Sequence, residues 1–437
     1  MNTPTAAPAA PARAGSISLE EALDRLMAAV TPFPVQTAES LPTAQAPGRV
    51  LAAEILSLVD VPPGDNTSMD GYAMRAADVP VAGTVLPVSQ RIAAGAAPQV
   101  LVPGTAARIF TGAQVPAGAD AVVMQEQCVS VDADGSTRVR VDTVPNAGQW
   151  IRRRGEDVRA GAVVLAAGTR LTPQALGLAA SVGVARVSVA RRPRVALLST
   201  GDELVMPGDC PPDQMRPGTI YNSNRFTLRA LLQSAGCDCS DLGIVPDRFD
   251  ATRDALCAAA LDNDLILTSG GVSVGEEDHI RPAVASLGRV DLWQMATKPG
   301  RPLAFGVVHR GGVGADGQPL DAKRGSAWFI GLPGNPVSSF VTFLLVVRPV
   351  LLRLQGATSL APRAVSLRAD FDWLRPDKRR EFLRARINDR GGLDLYPNQS
   401  SGVLTSAVWG DGLIDNPAEQ PIREGDVVRF LPFSELM

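Results

Sequence analysis

Between residues 194 and 357 the chain alternates short apolar runs with longer amphipathic ones, and few folds accommodate that alternation. RVALLST, DLGIVPD, DLILTSGG, RPLAFGVV and AWFIGLPG read as strands. NSNRFTLRALLQSAG, DATRDALCAAAL and EDHIRPAVASLG read as helices, the first capped by Asn222 or Ser223 and stopped by Gly236, the second capped by Asp250. Strands separated by helices of this length imply a three-layer α/β domain with a mostly parallel sheet. The apolar run Phe340 to Val347 stops at Arg348-Pro349. That is well short of the roughly 20 residues a membrane span needs, so it reads as a buried helix and no membrane association is expected.

The rest of the chain has a different texture, so the expected fold is multidomain α/β. Residues 1–15 are Ala/Pro-rich, without an apolar signal region, and read as a disordered tail. SISLEEALDRLMAAV reads as a helix with Ser18 as N-cap and Glu21 completing a capping box. Residues 16–60 combine with 146–190 into a discontinuous N-terminal linker domain, in which Thr172-Pro173 starts a helix that Gly183 ends. Residues 61–145 form a small β-rich domain from TVLPV, QVLVPG, ARIFTG and DAVVMQE, with a hairpin turning at Asp134-Gly135. The α/β domain spans 191–357, and 358–437 closes the chain as a small C-terminal β-barrel or sandwich. Residues 312–325 read as a variable loop without an assigned role.

Composition excludes several function classes. Lys+Arg is 42 against 45 for Asp+Glu, so a general nucleic-acid binder, which needs a net basic surface, is not expected. The two histidines, His279 and His309, preclude a His-rich zinc centre. The five cysteines are odd in number and form no CxxC pair, which suits free thiols in a reducing, cytoplasmic setting. Lysine occurs only at positions 298, 323 and 378. Arginine is the default cation here, so a lysine in a candidate site carries more information than an arginine run.

Ligands of open α/β sheets bind beyond the carboxyl ends of the strands, and unusual residues collect there. Glu203, Asp247 and Asp278 each follow a strand. Three such acids suggest metal ligands for a hard cation such as Mg²⁺, although any one of them could merely cap a helix or turn. The helix start Gly334-Asn335-Pro336-Val337-Ser338 offers backbone N–H groups to an anion. Lys298-Pro299-Gly300-Arg301-Pro302 is a stiff basic loop whose compact ammonium suits a small oxyanion. The runs Arg152-Arg153-Arg154 and Lys378-Arg379-Arg380 are patches of the kind that usually face solvent. Pro62 to Tyr72 (PPGDNTSMDGY) can line a polar ligand site, or simply form turns. Gly271 to Gly275 matches G-x-S-x-G around Ser273, with Asp291 and His309 following in hydrolase order. The apolar helix that should follow the serine is replaced by VGEEDH, which argues against a serine hydrolase.

Taken together, PPGDNTSMDGYA, RIFTGAQVPAGADAVV, IRRRGEDV, LLSTGDEL, LTSGGVSVGEEDH, KPGRPLAFG, GLPGNPVSS and PNQSSGVL make the chain from about residue 16 onward resemble the molybdopterin molybdenumtransferases, the molybdenum insertases that include gephyrin's C-terminal domain. The resemblance implies an elongated homodimer of four-domain subunits with an active cleft shared between them. It implies an enzyme that takes molybdate and adenylylated molybdopterin as substrates and inserts molybdenum with Mg²⁺-dependent release of AMP. By motif it assigns catalytic roles to Asp65, Thr111, Asp157, Glu203 and Lys298, and metal binding to Glu203, Asp247 and Asp278. Lys298, Ser338, Arg379 and Ser401 match the molybdate pocket, and Ser273, Asn335 and Arg301 are candidates for binding the larger substrate. The resemblance implies molybdopterin adenylyltransferase and molybdoenzymes or their chaperones as partners. Many relatives carry a basic residue where this chain has Gln294, which removes one candidate charge near the phosphates. A non-catalytic scaffold on the same fold is the main alternative, and the presence of the acids and of Lys298 favours catalysis.

Overall fold

The computed structural model describes residues 16–133, 136–272, 279–314 and 318–437. The chain forms two compact units, one from the residues through Glu39 with Ala190–Met437, the other Ser40–Val189. Asp278 and Ser273 lie outside the described residues, as do residues 134–135.

In the first unit, helix α1 (Leu19–Ala29) begins where the sequence places it, with Ser18 Oγ accepting from the N–H of Glu21 at 3.0 Å. The reciprocal half of the capping box is replaced, because the Glu21 carboxylate turns to Arg25, one turn on. Then follow β1 (Arg194–Thr200), α2 (Ser223–Ser234), β2 (Asp238–Val245), α3 (Phe249–Asp262), β3 (Leu265–Ser269), α4 (Ile280–Leu287) and β4 (Gly288–Gln294). A two-residue strand β5 (Thr297–Lys298), β6 (Pro302–His309) and β7 (Ser326–Leu332) complete the region. Asn222 caps α2 through its side chain. Asp250 does not cap α3: Arg248 is the cap residue, and Asp250 sits in the first turn, paired with Arg253.

The sheet runs β2-β1-β3-β7-β6-β4. The β2-β1-β3-β7 part is parallel, whereas β6 pairs antiparallel with both β7 and β4. It is therefore a mixed sheet, because β7 and β6 are joined by a loop and not by a crossover helix. Alternate residues face opposite layers. Val195, Leu197, Leu265, Leu267, Ile330 and Leu332 pack with α1, α2 and the long helix described next, while Ala196, Leu198, Ile266 and Phe329 pack with α3 and α4. The helix read as the start of the linker region thus joins this core through Leu19, Ala22 and Leu26.

The largest departure from the sequence reading is helix α5. It does not stop at Arg348-Pro349 but runs for 19 residues from Pro336 to Leu354, with 89 % of its most apolar 18-residue window buried. Phe343–Val347 is wound as a π-helical turn directly before Arg348-Pro349. A proline lacks an N–H and crowds the carbonyl four residues back. A wider turn accommodates that defect without ending the helix. By length and apolarity alone α5 could cross a membrane; its burial makes it the central helix of this core.

The C-terminal strands β8 (Val365–Arg368), β9 (Arg380–Ile387), β10 (Leu393–Leu395), β11 (Gly412–Asn416) and β12 (Val427–Pro432) form a second sheet, in the order β5-β9-β11-β12-β8, with β10 beside β9. It curls into a half-barrel rather than the barrel or sandwich expected. The return across the opening is a single bridge between Ala369 and Leu393. Strand β5 comes from the α/β region and pairs parallel to β9, setting Thr297 beside Arg380 and Lys298 beside Glu381. Phe382, Leu413, Leu431 and Phe433 belong to the same apolar cluster as α5, so the half-barrel and the α/β region share a core.

In the second unit six strands from 71 to 141 make one sheet. Cys128–Ala133 and Ser136–Val141 pair as the expected hairpin, with Ala133 opposite Ser136. The run QVLVPG is not a strand; Gln99 is instead tied by its backbone to the side chain of Gln90. A separate core joins Leu51 and Ile55 to Leu171, Ala175, Val187 and Val189. All five cysteines are free thiols.

Candidate active site

The carboxyl ends of β1, β2, β3 and β7 open onto a cavity of about 740 Å³, within the usual size range of small-molecule sites. The α/β region contributes Thr200, Glu203, Asp247, Gly270, Asn335 and Ser338, together with the loop Lys298 to Pro302. The half-barrel contributes Arg379, Gln399, Ser400 and Ser401. Eight of the sequence-predicted site residues, Glu203, Asp247, Lys298, Arg301, Asn335, Ser338, Arg379 and Ser401, therefore line one space.

Local chemistry explains how each side chain reaches that space. Glu203 folds back over Gly201, which has φ +138°; a Cβ there would collide with the Glu203 carboxylate. The loop after β5 turns through a cis Lys298-Pro299 bond, and Thr297 Oγ1 donates to the Gly300 carbonyl at 2.9 Å. Asn224 on α2 holds the turn before α5 by donating to Ser269 Oγ at 2.8 Å and to the Gly334 carbonyl at 2.7 Å. The helix start is not a free anion cradle, because the Val337 N–H donates to the Ser401 carbonyl at 3.0 Å. That bond ties the Ser401 backbone to the head of α5, and Ser338 and Ser401 both line the cavity.

The basic wall is not a bare cluster of cations. Lys298 Nζ lies 3.2 Å from Glu381 and 3.3 Å from Asp377. Arg379 donates to both oxygens of Asp377, at 2.9 and 3.1 Å. Arg379 holds the Asp377 carboxyl well below the usual carboxylate range against the opposing effect of burial, with help from its own backbone N–H and from Lys298. Reciprocally, Asp377 pushes the Arg379 guanidinium up. Glu381 has no exposure and also accepts from Trp373 Nε1 at 2.8 Å. Of the neighbouring cations, Lys378 is exposed, and Arg380 is bound to Asp415 and Glu20.

Asp377, Glu381, Trp373 and Asn224 escaped the sequence reading. One signal for Glu381 was available: a charge set in the apolar strand EFLRARI. Arg384 in the same strand is buried and pushed down by that burial; it donates to Ser406 Oγ and to the Ser400 carbonyl. Gln399 clamps the Arg384 backbone from both sides, so this strand carries the Ser400-Ser401 loop.

Asp65, Thr111 and Asp157 lie in the other unit. Asp65 accepts from the Arg154 N–H at 2.9 Å and from Arg153 Nη1 at 2.7 Å, which together hold its carboxyl below the usual range. Thr111 donates both its N–H and its hydroxyl to Asp70 Oδ1, each at 2.7 Å, so Asp70 is the residue that orients it. The Asp157 N–H donates to the Val61 carbonyl. Gln294 ends β4, where its carbonyl accepts from Ser16 and Ile17. His309 Nδ1 meets Ser326 Oγ across β6 and β7 at 2.9 Å, a pairing set by strand register.

The donor set suits a hard cation. Glu203 and Asp247 both line the cavity, and among the described residues no three His, Cys, Asp or Glu side chains gather around one point. Mg²⁺ usually takes one or two carboxylates and fills its remaining positions with water and substrate phosphates.

Comparison with known proteins agrees with this layout. Residues 17–183 match the MoeA N-terminal region (domain I and II), 196–353 a probable molybdopterin binding domain, and 366–433 the MoeA C-terminal region (domain IV). A relative from Haemophilus influenzae named molybdopterin molybdenumtransferase is 38% identical over 427 residues, covering 96% of this chain and 100% of the relative. One of the same name from a Nostoc species is 38% identical over 341 residues, 76% of this chain and 73% of the relative. The crystal structure of the molybdopterin biosynthesis moeA protein from Pyrococcus horikoshii superposes with a TM-score of 0.78 at 27% identity, covering 96% of this chain and 100% of that one. Fold and site together define a multidomain protein of molybdenum cofactor biosynthesis, with a mixed α/β sheet and a curled half-barrel. The chain belongs to the molybdopterin molybdenumtransferases, an enzyme family.

Proposed function

We propose that this chain inserts molybdenum from molybdate into adenylylated molybdopterin with Mg²⁺-dependent release of AMP. The observation that carries the reading is the convergence of Lys298, Arg379, Ser338 and Ser401 on one cavity that Glu203 and Asp247 also line. Both substrates are anions and repel each other. Lys298 and Arg379 offset the charge of a tetrahedral oxyanion, and the two serine hydroxyls donate to its remaining oxygens. Arg301, Asn335 and Gly270 line the space left for the larger substrate. Holding the oxyanion beside the dithiolene makes the transfer effectively intramolecular.

Two carboxylates, Glu203 and Asp247, and three cations, Lys298, Arg301 and Arg379, line this cavity, and Asp377 and Glu381 behind them already pair with Lys298. Two anions brought into one site repel each other, and a cation that enters with them offsets that repulsion. Glu203 and Asp247 would hold Mg²⁺, which supplies that positive charge and polarises the phosphoanhydride as a Lewis acid. Asp278 belongs to the same proposed set by sequence. Asp65, Thr111 and Asp157 are proposed to complete the cleft from the second subunit of a homodimer in the cytoplasm. Molybdopterin adenylyltransferase would supply the substrate, and molybdoenzymes or their chaperones would receive the product.

The test is AMP release by the purified protein from adenylylated molybdopterin, with molybdate and Mg²⁺ varied independently. Release that requires both is expected. Release indifferent to molybdate and Mg²⁺ overturns the reading, and a monomer in sedimentation at the working concentration overturns the shared cleft.

A further inference from the structure

The two carboxylates on the basic wall are held differently. Glu381 lies in strand β9, has no exposure, and is fixed on one side by Lys298 and on the other by the Trp373 indole. Asp377 lies in the loop before β9 and retains 22% side-chain exposure. Its Oδ1 is tied to the backbone N–H of Arg379 at 3.0 Å and to Arg379 Nε at 2.9 Å, while its Oδ2 faces both Lys298 at 3.3 Å and Arg379 Nη2 at 3.1 Å. One carboxylate oxygen thus straddles the two cations that a tetrahedral oxyanion would use.

We propose that Asp377 is a specificity-determining residue, an internal competitor whose Oδ2 holds Lys298 and Arg379 until a dianion takes them over, whereas Glu381 is a positioning residue that keeps Lys298 on the wall throughout. This rests on the oxyanion role of Lys298 and Arg379 given above.

The physics is competition in a confined site. Two cations already matched by a carboxylate gain little from a weakly bound monoanion such as chloride. A dianion that reaches both cations and both serine hydroxyls outcompetes one carboxylate oxygen. Asp377 therefore lowers affinity for every anion, but lowers it most for those that cannot span the pair. Rotation about Cβ–Cγ moves both carboxylate oxygens together, so the dianion displaces the Oδ2 contacts as the Oδ1 contacts to the Arg379 N–H and Nε shift with them.

The experiment titrates molybdate into the full-length wild type, Asp377→Asn and Glu381→Gln by calorimetry, each with chloride as competitor. Asparagine keeps an oxygen acceptor for the Arg379 N–H and removes the charge. Asp377→Asn is expected to bind molybdate three- to tenfold more tightly and to become more sensitive to chloride. Equal or weaker binding overturns the competitor role. Glu381→Gln is expected to bind at least tenfold more weakly at unchanged stoichiometry. Because that substitution is buried, Trp373→Phe is measured beside it. It leaves both charges in place and frees Glu381 on one side only, and a smaller loss in the same direction is expected; no change in either variant overturns the positioning role. Wild type that ignores molybdate while Asp377→Asn binds it supports the competitor and counts against the proposed function. If none of the proteins binds molybdate, both are overturned.

Discussion

Lys298 Nζ sits 3.2 Å from Oε1 of Glu381, a carboxylate with no exposure to solvent. The pair joins the α/β region to the half-barrel through adjacent strands, β5 and β9. Removing one partner of a buried pair leaves an uncompensated charge, which costs several kcal/mol when both are fully buried. Lys298 is 38% exposed, so the full value does not apply. Lys298→Ala is expected to cost about 2 kcal/mol in chemical denaturation and to reduce molybdate-dependent AMP release by about a hundredfold or more. Unchanged stability would show that Glu381 is satisfied without the lysine.

Glu203→Gln keeps the size and hydrogen-bonding capacity of the side chain and removes its charge. If Glu203 and Asp247 hold the cation, the Mg²⁺ concentration for half-maximal turnover rises about tenfold, as expected for losing one carboxylate ligand. Asp247→Asn is expected to do the same, with melting temperatures of both variants near that of wild type. A fall in maximal rate at an unchanged Mg²⁺ requirement would assign these acids to some other task.

Gly300 has φ +97°, and a Cβ there would run into Thr342 Oγ1 of α5. Gly300→Ala is expected to destabilise the protein by about 1–3 kcal/mol through backbone strain and this collision. It should also displace the loop that carries Lys298. Adding Thr342→Ala removes the collision but not the strain, so the double variant is expected to recover part of the loss. Full recovery would mean that the left-handed backbone contributes nothing.

Asp264 receives two bonds from Arg191, at 2.7 and 2.8 Å, and a third from the Arg194 N–H at 2.9 Å. Burial pushes its carboxyl up, but these donors outweigh burial and hold it below the ordinary value of 3.8. A carboxylate with a depressed folded pKa adds stability that is complete above its unfolded pKa and is lost as pH falls through the folded one. Asp264→Asn is therefore expected to cost about 2 kcal/mol at neutral pH. The gap from wild type should close progressively below pH 3.8. A gap that persists at the acid end would indicate a packing defect and not a charge effect.

Much of the fold was legible in the sequence because its signals are local. Ser18, Thr172 and Asn222 cap their helices through side-chain bonds to the third residue on, as their spacing indicates. The strand-end positions of Glu203, Asp247 and Asn335 follow from where apolar runs end, and each lines the cavity. The end of α5 was misread because Arg348-Pro349 resembles a stop. The local rule was overridden by a π-helical turn and by the apolar core around it. The barrel or sandwich expected at the C-terminus is a half-barrel whose sheet is extended at one edge by β5, a strand of two residues that no periodicity reveals.

Along the sequence, Lys298 and Arg379 are two basic residues among 42, each in a polar stretch, and nothing local pairs them with Asp377 and Glu381. The order of motifs determined which side chains this chain owns and at which strand ends they stand, since hydrophobic periodicity and capping act over a few residues. Which charges neutralise one another, and therefore which remain available to an anion, was decided only when β5 paired with β9. Electrostatic energy depends on distances in space between segments some 80 residues apart in the chain.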